Sequence, residues 1–238
     1  MEINDILSNM KERGLFPSGI LRSKYKLSDI EYAKKVVIEI GKMRNKNFSI
    51  DNENNFAYEN IIKWIHGDES MKCIDPDTGD IIPGNLNSGI YLAGNPGSGK
   101  SWCMEIMSDY CLIDNVKVKL DDNIRCLHWE NIRADMICDE YVLTGNIRKY
   151  KDMGILCIQD LGSEPEESIY MGNRANVNKQ LLENRGDHSN LITLITSNFS
   201  MTHTIFKKKY GDRVISRLHE MCNYIEMKGR DRRILNNK

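Results

Sequence analysis

The chain reads as an α/β fold, a parallel sheet covered by helices, and two observations predict it. From residue 89 onward, short apolar runs at 89–93, 124–128, 155–159, 191–196 and 223–227 alternate with helix-like segments at 132–143, 178–183 and 214–220. Alternation of that kind places the strands side by side in one sheet and the helices over its faces. The first run also feeds directly into Gly94-Asn95-Pro96-Gly97-Ser98-Gly99-Lys100-Ser101, a complete G-x-x-x-x-G-K-[ST] loop, and Trp102-Cys103-Met104-Glu105-Ile106-Met107 continues as a helix. Strand, glycine loop and helix is the context in which such a loop cradles phosphates on its backbone N–H groups.

The segments before this unit read as helices. Ile3, Ile6, Leu7 and Met10 form one apolar stripe that Gly14 ends. Ser28-Asp29-Ile30-Glu31 has the form of a capping box, followed by Ala33, Val37, Ile40 and Met43 at helical spacing. A polar, turn-rich stretch at 45–52 reads as a linker, which divides the chain into a helical region at 1–52 and a main domain at 53–238. A third helix carries Phe56, Ile61, Ile62, Trp64 and Ile65 and stops at Gly67. Asp75-Pro76-Asp77-Thr78-Gly79 and Pro83-Gly84 mark the turns of a small hairpin within 72–88. The sequence contains no internal repeat and no low-complexity tract.

Bulk composition narrows the function classes. The 238 residues are 40% hydrophobic and 28% charged, ordinary globular values, with a formal net charge of −1. A protein that coats nucleic acid unaided is usually more basic, so any DNA contact here is expected to be local or gated by assembly. Cys73, Cys103, Cys111, Cys126, Cys138, Cys157 and Cys222 are odd in number and free of C-x-x-C pairs. They read as reduced core residues of a cytoplasmic protein, with a zinc site as the alternative. A polar start, Met1-Glu2-Ile3-Asn4-Asp5, and the lack of any apolar stretch of spanning length predict a protein without a membrane segment.

Within the loop, Lys100 is placed to reach β and γ phosphate oxygens and the Ser101 hydroxyl to bind Mg²⁺. Such a loop needs a second site for the metal and the attacking water, usually an acidic residue ending a buried strand. Ile155-Leu156-Cys157-Ile158-Gln159-Asp160 offers Asp160. Leu191-Ile192-Thr193-Leu194-Ile195-Thr196-Ser197-Asn198 is a second buried strand, whose terminal Asn198 could orient water or simply begin a turn. Arg213 and Arg217 share a helical face at i, i+4, fit either for a surface salt-bridge network or for a neighbour's nucleotide. Lys207-Lys208-Lys209 and Arg148-Lys149-Tyr150-Lys151 are candidate DNA-backbone contacts, or solvated faces.

Taken in order, these motifs resemble an AAA+ ATPase, and within it the DnaC/DnaI-type helicase loaders and the related IstB transposition ATPases. The resemblance covers roughly residues 85–234. Asp160-Leu161-Gly162-Ser163-Glu164-Pro165 is similar to that group's Asp-Leu-Gly-x-Glu-Pro segment, and Thr196-Ser197-Asn198 resembles its sensor 1. Tyr210-Gly211-Asp212-Arg213-Val214-Ile215-Ser216-Arg217-Leu218 resembles its arginine-finger helix, and Gly229-Arg230-Asp231-Arg232-Arg233 its sensor 2 strand end.

The resemblance implies a P-loop NTPase (AAA+) fold, three-layer α/β/α with a five-stranded parallel sheet. It lacks a C-terminal lid and follows a small N-terminal helical region that docks a partner. It implies ATP and Mg²⁺ as ligands, held by Gly94, Asn95, Pro96, Gly97, Ser98, Gly99, Lys100 and Ser101, with Ser101 and Asp160 at the metal. Asn198 would sense the γ-phosphate, Arg233 would touch the nucleotide and Arg217 would act in trans on an adjacent copy. The implied partners are a hexameric replicative helicase and single-stranded DNA.

One departure is Gln159, where the group usually has an acid. Loss of that charge predicts tight ATP binding with slow hydrolysis, or a nucleotide-gated adaptor without significant hydrolysis. An IstB-like helper on duplex DNA is a further alternative. A small-molecule kinase is disfavoured, because no arginine-rich lid follows the loop.

Overall fold

A computed structural model describes residues 21–22, 30–113, 115–120, 123–229 and 231–232. Its centre is a five-stranded, all-parallel sheet. The strands are β4 (Gly89–Gly94), β7 (Glu130–Arg133), β8 (Ile155–Leu161), β11 (Ile192–Ser197) and β12 (Cys222–Met227), in the order β12-β4-β11-β8-β7. Successive strand residues face opposite sides, and both sides are apolar. Ile90, Leu92, Ile155, Cys157, Leu194 and Ile225 enter one core, while Tyr91, Leu156, Ile158, Ile195 and Tyr224 enter the other. Strands buried on both faces need continuous apolar runs rather than alternation, and that is how these were legible.

The first core is roofed by α1 (Ile30–Arg44), α2 (Asn55–His66) and α3 (Lys100–Ile113). Ala33, Val37 and Ile40 of α1 are buried in it, so this helix is packed onto the sheet's own layer. Helix α2 ends at Gly67, whose φ of 67° supplies the left-handed cap expected there. The second core lies under α4 (Ala134–Thr144), α5 (Arg148–Asp152), α6 (Val177–Gly186), α7 (Thr204–Tyr210) and α8 (Asp212–Met221). The result is the three-layer α/β/α arrangement expected from the sequence. All seven cysteines are free, and among the described residues no group of three or more His, Cys, Asp or Glu could hold a metal ion.

Three small antiparallel pieces decorate the sheet. The hairpin expected within 72–88 is β2 (Lys72–Ile74) with β3 (Ile81–Pro83). The run at 124–128, expected in the main sheet, instead supplies β6 (Asn123–Cys126), which pairs with β5 (Lys117–Leu120) and through it with β1 (Leu21–Arg22). The fifth core strand is the next segment, Glu-Asn-Ile-Arg of β7, an edge strand with too few apolar residues to announce itself. A further hairpin, β9 (Ser168–Tyr170) and β10 (Asn173–Ala175), turns at Met171 and Gly172, both at positive φ. The stripe expected at 3–14 and the capping residues Ser28 and Asp29 lie outside the described residues. No helix among the described residues is long and apolar enough to cross a membrane.

One buried cation organises the second core. Arg185 of α6 donates to the carbonyls of Tyr150 (2.9 Å), Met153 (2.6 Å) and Ile192 (2.8 Å) and to Thr193 Oγ1 (2.9 Å). Burial pulls its guanidinium down to about 10, still charged at neutral pH. Carbonyl oxygens satisfy its donors and fix α5, α6 and β11 together.

Candidate functional site

Parallel strands place their C-terminal ends on one edge, and the motif residues gather there. The loop leaves β4 at Gly94 and enters α3 at Lys100, with Gly97 and Gly99 at φ 77° and 99°. At Gly97 the left-handed turn is not the only constraint. The carboxylate of Asp231 fills the space a Cβ would need, 2.0 Å from its position, and the Arg232 N–H donates to the Gly97 carbonyl at 3.0 Å. Only glycine satisfies both conditions.

Lys100 is 5% exposed. Its Nζ donates to the carbonyls of Gly94 (2.8 Å) and Asn95 (2.9 Å), and to Asn198 Oδ1 at 2.8 Å. The last bond joins the loop to the residue immediately after β11, so the lysine and the proposed sensor share one point. Ser101 is half-buried on the first turn of α3.

Asp160 arrives at the same edge through a bulge. Ile158 pairs with Ile195 and Leu161 with Ser197, which leaves Gln159 and Asp160 opposite Thr196 alone. The extra residue puts Asp160 at φ 55°, and its N–H, displaced from the ladder, donates to Thr196 Oγ1 at 3.0 Å. Ser197 Oγ donates to the Leu161 carbonyl at 2.7 Å and completes the join between the two strand ends.

The loop after β8 is fixed by Glu164, a buried carboxylate that accepts from the Gly162 N–H (2.8 Å), from Lys209 Nζ (3.2 Å) and from the Tyr210 hydroxyl. Burial and the neighbouring Glu164 carboxylate push the Tyr210 phenol far up, so it stays a donor. The Glu of the Asp-Leu-Gly-Ser-Glu-Pro segment therefore ties this loop to α7.

The sequence assigned no individual role to several neighbours of these residues. Arg133, at the end of β7, places Nη1 3.7 Å from Asp160 Oδ2 and is itself held by Asp135. Arg232 pairs with Asp51 at 2.9 Å and with Glu53 at 3.7 Å, and its hydrogen bond holds the Asp51 carboxyl below its ordinary range. Arg133 belongs to no motif and is signalled only by its charge at a strand end, whereas Arg232 lies in the 229–233 stretch that resembles sensor 2 and Asp51 in the linker.

Arg217 is elsewhere. It pairs with Asp187 Oδ1 at 2.5 Å and Glu220 Oε2 at 3.0 Å, residues that precede β11 and β12 and so lie toward the opposite edge of the sheet. Arg213 reaches Asp187 at 3.9 Å. Lys207 pairs with Asp212 at 2.9 Å, Lys209 is half-buried against Glu164, Arg148 pairs with Asp152 at 3.3 Å and Lys149 pairs with Glu140. Arg233 lies outside the described residues.

The residues present suit a phosphate chain with Mg²⁺. The loop has the positive φ values of a backbone cradle, Ser98 Oγ is buried among the described atoms without a hydrogen-bond partner, and a lysine and an aspartate border one edge. When bound, Mg²⁺ would contribute charge neutralisation and orientation of the phosphates. Ser101 and Asp160 are the oxygen donors that would hold it.

Sheet order, glycine loop and the Lys100–Asn198 edge together define a P-loop NTPase fold in the AAA+ arrangement, with the loop strand β4 between β12 and β11. Among solved structures, the chain is similar to a candidate primosome component from Streptococcus pyogenes serotype M3, at 15% identity and a TM-score of 0.51. That match covers 82% of this chain and 97% of the other. It is also similar to a DnaC helicase loader (13% identity, TM-score 0.47, 77% of this chain and 95% of that one). A third similar structure is AMPPCP-bound DnaA from Aquifex aeolicus (16%, TM-score 0.45, 81% and 53%). At such identities the likeness is one of fold. No family model and no curated protein matches the sequence.

Proposed function

We propose that the chain is an ATP-binding AAA+ helicase loader acting in DNA replication. It uses ATP binding and slow hydrolysis to place a hexameric replicative helicase on single-stranded DNA. One observation carries the reading: Lys100 spans the glycine loop to Asn198 at the strand edge that Asp160 also reaches. In this reading Gly94 through Ser101 cradle the triphosphate, Ser101 and Asp160 hold Mg²⁺, and Asn198 senses the γ-phosphate. Arg217 acts on the nucleotide of an adjacent copy, and Arg233 touches the chain's own. Region 1–52 docks the helicase and 53–238 is the ATPase domain; the exposed Tyr32 and Met43 give α1 an outward apolar surface for that contact.

The loader assignment draws on the sequence resemblance and is compatible with the shared fold. Gln159 supports slow turnover, and it equally favours a nucleotide-gated adaptor in which ATP binding alone drives assembly. The test is a pull-down from the native host with and without a slowly hydrolysed ATP analogue, beside K100A. The expected result is analogue-dependent capture of a replicative helicase that K100A loses, together with a preference for single-stranded DNA. Capture of a transposase with duplex DNA would replace this reading by the IstB-like one. Unchanged analogue affinity in K100A would end the nucleotide reading.

A further inference from the structure

The strand residue of β8 that faces α3 at the metal edge is Gln159, and an amide carries no charge to place beside a divalent ion. Gln159 is 6% exposed, and its Nε2 donates to Glu105 Oε1 at 3.3 Å. Glu105 lies on α3 four residues beyond Ser101, so the two side chains share one helical face. Its other oxygen accepts from Arg44 at the end of α1, and Arg44 also bonds Asp109 Oδ2 at 2.8 Å. Two donors from two different elements thus fix one carboxylate behind the loop serine.

A buried glutamine at hydrogen-bond distance from a carboxylate orients it, and the cation beyond it keeps that carboxylate from swinging to solvent. Magnesium retains several waters when a protein binds it, so a carboxylate that is not a direct ligand can act on it through one of those waters. We infer that Glu105 supplies a second negative charge, beside that of Asp160, at the magnesium end of the site, with Gln159 and Arg44 as its positioning residues. That second charge sits on the helix, while its strand neighbour Gln159 is a neutral amide. The inference deepens the nucleotide reading above and rests on it.

The test measures binding, not turnover. Affinity of the full chain for a fluorescent, slowly hydrolysed ATP analogue is titrated in EDTA and across a range of Mg²⁺, for wild type, E105Q and the double variant E105Q/Q159E. The expected result is that E105Q needs about 10-fold more Mg²⁺ for half-maximal enhancement, while its affinity in EDTA matches wild type. The double variant, which returns the charge to the strand, should recover the wild-type Mg²⁺ requirement. That recovery also excludes misfolding of the single variant. A wild-type Mg²⁺ requirement in E105Q, or equal weakening with and without the metal, overturns the inference and leaves nucleotide binding intact. Failure of wild type itself to bind the analogue overturns the nucleotide reading, and the inference with it.

Discussion

Asp160 shows how one residue is aimed by backbone irregularity rather than by side-chain reach. Its φ of 55° comes from the extra residue in β8, and aspartate and asparagine tolerate that region better than most side chains because they bond locally. D160N should therefore melt within a few degrees of wild type, while D160A should lose about 1–2 kcal/mol, because alanine lacks the short polar side chain that eases the left-handed region. Thermal unfolding of the two variants checks this, and equal melting would refute a strained bulge. The hydrolytic role proposed for Asp160 would be removed in both, which separates strain from chemistry. Asp160 was legible in the sequence as the polar end of an apolar run, but the bulge was not. A register shift leaves no mark in composition. Glu105 and Arg133 went unread for a related reason, since each gains meaning only from a partner more than 20 residues away.

At the scale of elements, α1 is joined to α2 through Glu59, which accepts from Lys34 and Lys63 at 3.0 Å each. Burial alone would raise this carboxyl. The two lysine bonds outweigh it and hold the group at about 2, against an ordinary 4.5. A carboxyl with a depressed folded pKa stabilises fully above its unfolded value, and that contribution fades as pH falls from about 4.5 towards 2. Each unit of separation is worth about 1.4 kcal/mol, and partial exposure discounts the total to about 1–2 kcal/mol. Urea unfolding should show E59Q less stable than wild type at pH 7, with the gap reduced by about half or more at pH 3. A constant gap across both would remove Glu59 from the acid response. The helices were the easiest elements to foresee, because Ala33, Val37 and Ile40 or Ile61, Ile62 and Ile65 keep helical spacing. Strand β7 and the β9–β10 hairpin escaped notice. One is a polar edge, and the other turns on Met171-Gly172 instead of the usual Asn-Gly or Asp-Gly.

Across the whole molecule, the sheet separates two tasks. One edge gathers Lys100, Asn198 and Asp160, while Arg217 rests towards the other, tied to Asp187 and Glu220. An arginine already neutralised at home is not idle in solution. To serve a neighbour it must first give up two carboxylates, so recruitment carries a threshold that a bound triphosphate next door would have to exceed. D187N removes the stronger tether without touching either proposed site residue. Sedimentation with the ATP analogue should show D187N assembling at lower protein concentration than wild type, and an unchanged midpoint would refute the threshold. In the proposed assembly the Asp187–Arg217 pair would be a catch that keeps solitary copies apart until a loaded partner releases it.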